Sequence, residues 1–458
     1  MPVRSEAYRP NVVHTRLGDA FYDAVQPAEF PKHVLRYRND AAARTVGLDM
    51  LTDVEWLGHF SRFEPLPNNL PEPLALRYHG HQFRAYNPDI GDGRGFLFAQ
   101  MLDHRDRTLD LGTKGSGTTP YSRSGDGKLT LKGAVRERLA TEMLEALRVP
   151  TSRTFSIVET GENLWRGDEP SPTRSAVLVR LQHSHIRIGT FQRVAYERKA
   201  DAIRQLVAHC AEHYALGNGD PVRFLEAVAD GVARMGAAWW AAGFVHGVLN
   251  TDNINVTGES FDYGPWRFME GYDPAKVAAY FDQTGLYAFA RQPEALSWNL
   301  ERLAECLLFA YEGTRDALIA VLERFPLMFE DALIARTHER LGLRIDDGAK
   351  ERTRLLYAAM RETQSPHQKT FVDLALGAQN AREYESDAWR DALVAIRAGT
   401  PVAASSQPPK TIPDMGIESV EVVWAAIAER DDWEPLEALL RDVARLGEWE
   451  AGLVEAAR

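Results

Sequence analysis

Cysteine is nearly missing from this chain of 458 residues. Cys210 and Cys306 are the only two, far apart and outside any CxxC. That excludes a disulfide framework and a zinc site built on cysteines, and it predicts a reducing, cytoplasmic setting. Each lies in a helical-looking apolar stretch, LVAHCAEHYAL or RLAECLLFAY, as a buried structural thiol would. Long apolar runs are missing too. No stretch of about 18 such residues occurs, so no transmembrane helix and no membrane partner are expected. The first residues, MPVRSEAYRPNVV, have no apolar centre, so no secretory signal is expected. Basic charge is in deficit, with 53 lysines and arginines against 65 acidic residues and a net charge of −12. This argues against a protein that coats nucleic acid. GxxxxGK[ST], HExxH and GxSxG are all absent, which removes the P-loop, the helical zinc protease and the serine hydrolase.

What is present is a globular composition, 45% hydrophobic and 26% charged, enough for a sizeable core. Residues 78–193 alternate glycine-rich turns with strand-like runs: GFLFAQML, TLDLGTK, SRTFSIVE and SAVLVRL. One helix interrupts them, KLTLKGAVRERLATEMLEAL, with Leu131, Val135, Leu139, Met143 and Leu147 at i, i+4 spacing. From about 194 to 395 the pattern is mostly helical, and AGTPVAASSQPPKTIP reads as a linker before a short helical tail. The expected fold is α+β and protein-kinase-like in its two lobes, a β-rich N-lobe with one key helix and a larger helical C-lobe. The expected organisation is a 1–77 extension packed on the lobes, a 78–193 nucleotide-binding N-lobe, a 194–400 helical C-lobe with the catalytic loop, and a 401–458 linker and tail.

Four stretches carry chemistry. In NPDIGDGRGFLF, Gly91, Gly93 and Gly95 let backbone approach a ligand, and Arg94 adds a phosphate-seeking charge. No helix follows at once, so it is not a Rossmann turn. In DLGTKGSG, Lys114 ends a strand pattern where it can reach phosphate oxygens. Helical geometry offers it two partners, since Glu142 projects from the middle of the apolar stripe and Glu137 from its edge. Asp126 in SGDG suits either a helix cap or a ligand contact. In VLVRLQHSHIRIGTF, Arg180 and Arg187 are seven apart, on opposite faces of any unbroken strand. They grip one phosphate together only if QHSH turns the chain. The most specific stretch is FVHGVLNTDNINVTGESFDYGP. Protein kinases carry His-Arg-Asp, four residues, Asn, and later Asp-Phe-Gly. Here Asn253 follows His246 at that spacing, and Asp262-Tyr263-Gly264 stands for Asp-Phe-Gly. Asn253 and Asp262 supply oxygen ligands for Mg²⁺ or Mn²⁺. Val248 occupies the place of the kinase base and cannot take a proton. Asp252 is the only carboxylate in that loop.

These motifs, with YHGHQFRAYNPDIGDGRG, PTSRTF and ARQPEALSWNLERLAECL, resemble the selenoprotein O family (SelO/YdiU), pseudokinase-like protein adenylyltransferases. The resemblance spans roughly residues 78–310. It implies transfer of AMP from ATP to Ser, Thr or Tyr hydroxyls of proteins, with Mg²⁺ or Mn²⁺ and a nucleotide flipped relative to kinases. It implies Gly91, Gly93, Arg94, Lys114, Asp126, Gly127, Arg180, Arg187 and Asp262 as ATP contacts, Glu137 as the partner of Lys114, Asp252 as the base, and Asn253 and Asp262 as metal ligands. The family commonly carries a cysteine or selenocysteine near its C-terminus. GEWEAGLVEAAR has neither, so no redox role of the tail is expected. Rival readings are a non-catalytic ATP-binding scaffold, a kinase using Asp252 as base, and a hydrolase with zinc on His79, His81, His183 and His185. Those histidines read better as structural or site-lining.

Overall fold

The computed structural model of the chain describes residues 5–167, 169–377, 382–402 and 406–457. The extreme termini at 1–4 and 458, and 403–405 of the sequence-predicted linker, lie outside the described residues. The fold is α+β, with a β-rich N-terminal region and a helical C-terminal region.

The β-rich region holds, among the described residues, a nine-stranded antiparallel sheet. Its path runs Tyr22–Ala24, Leu74–Leu76, Leu97–Leu102, Thr108–Lys114, Thr173–Gln182, Arg153–Leu164 and Val34–Arg38. Arg9–Pro10 pairs with Leu97–Leu102, and Leu129–Thr130 with Thr173–Gln182. Four strands therefore come from the first 76 residues. The strand-like runs of the sequence recur at their expected places, and TLDLGTK is Thr108–Lys114 residue for residue.

Side chains alternate across a strand, so parity decides which residues meet. Leu109, Leu111, Val177, Val179 and Leu181 point to one face, into a core with Trp56, Phe60 and Phe155. Ala176 and Leu178 point to the other, against the helix Leu131–Ala146. Leu178 pairs with Lys114 and Arg180 with Gly112. Facing partners in a ladder share a side of the sheet. Lys114 and Arg180 thus stand side by side beneath that helix.

Leu131–Ala146 starts where Thr130 accepts from the Gly133 amide. This corrects the capping reading of SGDG, because Asp126 lies four residues too early. The helix is buried on nearly all sides, and Leu131, Val135, Leu139, Met143 and Leu147 are fully inside. The sheet covers one side, and the C-terminal helix Glu434–Ala457 covers another. Arg138 pairs there with Glu437 at 2.7 Å, and Gly447 packs on Ala146.

The helical region is built on Pro221–Ala242, Gln292–Ala310 and Arg315–Leu341 packed together. Among the described residues no helix is long and apolar enough to cross a membrane. Cys210 and Cys306 are buried, as their helical stretches predicted. Burial pushes the Cys306 thiol up to about 12 and raises that of Cys210 further. A thiol that stays protonated reacts slowly. Activity is therefore expected to be the same with and without dithiothreitol. A several-fold change that the double variant Cys210→Ser, Cys306→Ser abolishes would contradict this.

Candidate active site

The strand end, the covered helix and the loop after Pro221–Ala242 converge on one cluster. Lys114 Nζ lies 2.6 Å from Glu137 Oε2 and 2.7 Å from Asp262 Oδ1. Glu137, not Glu142, is the lysine's partner, and Glu142 instead bonds Arg138 at 2.8 Å. The stripe argument left both glutamates open because it assumed a helix with one covered side.

Arg180 Nη1 sits 3.8 Å from Glu137 and 3.7 Å from Asp262, while its Nε and Nη1 have no hydrogen-bond partner. Asp262 takes a left-handed backbone, φ 64°, which short polar residues tolerate. Burial alone would raise its pKa. Lys114, Arg180 and Arg94 outweigh that and hold it well below the usual carboxylate range. Asn253 Nδ2 donates to Asp262 Oδ2 at 3.2 Å. His246, the first residue of the loop motif, stays neutral because burial lowers its pKa, and its Nε2 donates to the Phe261 carbonyl at 3.0 Å. That bond ties the start of this loop to the Asp-Tyr-Gly turn.

QHSH does turn the chain. The strand ends at Gln182, Ser184 has φ 76°, and Arg187 stands at the N-cap position of the helix Ile188–Tyr196. Both guanidiniums come to one ring, Phe261, at 5.2 Å for Arg180 and 4.9 Å for Arg187. Arg187 also lies over Tyr78 at 4.2 Å, donates to the Asp252 carbonyl at 3.1 Å and reaches Asp92 at 3.5 Å. Its Nε has no partner. Buried N–H groups of two guanidiniums left without acceptors suit an anion such as a phosphate.

Beside this cluster lies a cavity of about 550 Å³, within the range of small-molecule sites. Gly91, Gly93, Arg94, Asp126, Gly127 and Asp252 line it. Lys114, Glu137, Arg180, Arg187, Asn253 and Asp262 are not among its walls. They adjoin it through Asp252, whose carbonyl holds Arg187, and through Arg94, which acts on Asp262. The glycines serve close packing of one loop on another. A Cβ on Gly91 would fall 2.5 Å from the Tyr121 ring, and one on Gly93 2.8 Å from the Tyr121 carbonyl. Asp126 accepts a two-pronged bond from Arg166 at 2.8 and 3.0 Å.

Asp252 is the candidate base. Its Oδ1 is buried without a hydrogen-bond partner, and burial pushes its pKa up to about 6, with Arg187 partly offsetting. A Cβ on Gly80 would come 2.8 Å from that oxygen, so the hairpin Gly80–Gln82/Ala85–Asn87 closes directly on it. The hairpin is pinned to the same loop by His81 N to Thr251 Oγ1 at 2.7 Å and Phe83 N to Asn250 Oδ1 at 3.0 Å. Sequence reasoning missed Gly80, Tyr78, Asp92, Phe261 and Arg166. Phe261 alone had a signal, its place just before Asp262.

The histidine-zinc alternative fails on geometry. His79 bonds Tyr86, His81 bonds Gln192 and His185 bonds Asp110. Among the described residues no group of three or more His, Cys, Asp or Glu is placed to hold a metal. Asn253 and Asp262 are neighbours, with the Asn253 amide nitrogen on Asp262 Oδ2, and an amide and a carboxylate oxygen are hard donors of the kind that Mg²⁺ or Mn²⁺ takes.

A lysine–carboxylate pair, two converging arginines and an isolated buried carboxylate are groups suited to binding and transferring phosphate esters. The profile of the family described as "Protein adenylyltransferase SelO" matches residues 2–397. "Protein nucleotidyltransferase YdiU" of Synechococcus elongatus is 42% identical over 93% of this chain and 92% of its own. The protein of that name in Synechocystis is 40% identical over 93% and 95%. That of Trichodesmium erythraeum is 39% identical over 96% and 99%. The chain belongs to the SelO family, and it is an enzyme of the nucleotidyltransferase class.

Proposed function

We propose that this protein is a cytoplasmic adenylyltransferase with a kinase-like two-lobed fold, transferring AMP from ATP to Ser, Thr or Tyr hydroxyls of other proteins. The observation that carries the reading is Asp252: a buried carboxylate with a free Oδ1 at the cavity wall, in a loop whose kinase-base position is Val248. The cytoplasmic setting rests on the two buried thiols.

In this reading the acceptor hydroxyl gives its proton to Asp252 Oδ1 and its oxygen bonds the α-phosphorus. The bond from that phosphorus to the bridging oxygen of the β-phosphate breaks, and pyrophosphate leaves. Arg180 and Arg187 hold the γ-phosphate inward and Lys114, fixed by Glu137, takes the neighbouring oxygens, so the α-phosphate faces outward. Gly91, Gly93, Arg94, Asp126 and Gly127 hold the rest of the nucleotide. Asn253 and Asp262 would hold Mg²⁺ or Mn²⁺, which supplies neutralisation of phosphate charge. An acceptor protein incubated with ATP and this chain should gain the mass of AMP less water on a Ser, Thr or Tyr. A phosphate-sized adduct instead would defeat the proposal.

The arginines yield a second expected result. Arg180→Ala or Arg187→Ala should weaken ATP binding by about 10–100-fold, the worth of a charge-assisted contact. ADP, which lacks the γ-phosphate, should be affected far less. Calorimetric titration of both nucleotides checks this, and equal weakening would place the arginines elsewhere.

A further inference from the structure

Beside the two arginines the fold buries a carboxylate–imidazole pair that the transfer reaction leaves unused. His185 Nδ1 donates to Asp110 Oδ2 at 3.0 Å, and the two side chains are 2% and 1% exposed. The other carboxylate oxygen accepts from Gln100 Nε2 at 2.7 Å. Gln100 is held in turn, since its Oε1 accepts the Val13 and His14 amides at 2.9 and 2.8 Å. With both its oxygens bonded, Asp110 fixes the ring and keeps the imidazole proton on Nδ1. Nε2 is buried and has no hydrogen-bond partner. A buried polar nitrogen with nothing to bond is costly, so it calls for an explanation.

Strand geometry says where that nitrogen lies. Asp110, Gly112 and Lys114 alternate onto one face of Thr108–Lys114, and Arg180 stands opposite Gly112 in the ladder. A Cβ on Gly112 would overlap His185 Nε2. The ring therefore lies over Gly112, between Asp110 and Lys114 and beside Arg180, in a gap that a larger residue would fill. Three charges besides Asp110 act on it: Arg180 from the facing strand, Arg187 from its own turn and Asp92 from the glycine-rich turn. Burial and the two guanidiniums, against Asp92, hold the imidazole well below its usual pKa, so the ring is neutral. Burial pushes Asp110 up to about 6, with Gln100, His14 and His183 opposing, so it is ionised at pH 7. His14 and His183 are themselves neutral, since burial holds each down to about 4, and Tyr214, which also faces Asp110, keeps its proton. We propose that His185 is a third ligand of the phosphoryl group held by Arg180 and Arg187, taking a proton from solvent as the phosphate arrives and donating Nε2–H to it, and that Asp110 is the positioning residue that makes this possible. This rests on the reading of the two arginines as phosphate ligands. No covalent bond of the substrate changes in this step. The phosphate neutralises the guanidiniums that keep the ring uncharged and adds negative charge of its own, while Asp110 already faces the far nitrogen.

The test counts protons. ATP with Mg²⁺ is titrated into the full chain at pH 7 by calorimetry, in buffers of different ionisation enthalpy. The wild type should take up roughly half a proton or more per ATP, and its affinity should fall as pH rises, because binding that takes up a proton weakens as protons become scarce. His185→Gln keeps an N–H donor near the place of Nε2 but cannot be protonated. It should lose the uptake and bind ATP less than about 10-fold more weakly, whereas His185→Ala should lose about 10–100-fold. Asp110→Asn should also lose most of the uptake. A merely structural role for Asp110 would change stability or affinity and leave the proton count alone. No uptake in the wild type, or the same uptake in a His185→Gln protein that circular dichroism shows to be folded, overturns the proposal. Full uptake in folded Asp110→Asn removes Asp110 as the positioning residue. If Arg180→Ala weakens ATP binding and folded His185→Ala does not, the arginines keep their phosphate and the histidine loses it. If Arg180→Ala binds ATP as the wild type does, the phosphate reading itself falls and takes this inference with it. Should His185→Ala fail to fold, the wild-type count and the glutamine variant decide.

Discussion

Asp252→Ala should leave ATP binding nearly intact and lower turnover by roughly 10²–10⁴-fold, the usual contribution of a general base. The side chain makes no ion pair with Lys114, Arg180 or Arg187, and Arg187 holds only its backbone carbonyl, which alanine keeps. Asp262→Ala and Asn253→Ala should behave the other way, losing metal-dependent ATP binding first, because each removes an oxygen donor. The pH profile follows from the same carboxyl. Burial pushes Asp252 up to about 6, and only the deprotonated form accepts a proton. Turnover of the wild type should therefore rise with pH through about 6 and fall away below it. Steady-state rates and calorimetric binding on the three variants separate the roles. Normal turnover in Asp252→Ala would remove it as the base.

The largest stability effect is expected far from the site, at Glu450. This residue of the C-terminal helix is fully buried and receives Arg336 Nη2 and Arg340 Nε at 2.8 Å each. Arg340 is itself fully buried, stacked on Phe371 at 4.2 Å and bonded to Gln368 at 2.9 Å. Removing one member of a buried ion pair leaves the other charge uncompensated, which costs about 3–5 kcal/mol. Glu450→Ala should show that loss in denaturant unfolding, with an accompanying loss of ATP affinity. The same helix covers Leu131–Ala146 and pairs Glu437 with Arg138, next to Glu137. A loss below about 1 kcal/mol would mean that water reaches both guanidiniums, against their observed burial.

These two sites differ in how far the sequence exposes them. The loop from His246 to Asp262 was legible because its motif fixes both residue types and spacing, His246 to Asn253 and then Asp262 before Gly264, and the structure brings those residues together. Lys114 was legible because it ends a strand pattern just after a glycine-rich turn, and TLDLGTK is indeed the strand Thr108–Lys114. The choice between Glu137 and Glu142 was not settled by periodicity. A helix between a sheet and another helix has no single apolar stripe, and its second cover comes from Glu437, 299 positions from Arg138. The convergence of Arg180 and Arg187 depended on a break at Ser184 that alternation cannot supply. The N-terminal strands escaped notice because Arg9–Pro10, Tyr22–Ala24 and Leu74–Leu76 are too short to show a period. Gly80 escaped because its constraint is the Asp252 carboxylate, 172 residues along the chain.

The chemistry rests on which phosphorus the acceptor attacks. The most direct test gives the protein ATP radiolabelled at the α-phosphate and, in a parallel reaction, ATP labelled at the γ-phosphate, then separates the products on denaturing gels. With Val248 in the kinase-base position, Asp252 at the cavity wall and the arginines proposed to grip the far end of the nucleotide, label from the α-phosphate alone should appear on protein. Label from the γ-phosphate alone would make it a kinase and contradict the account.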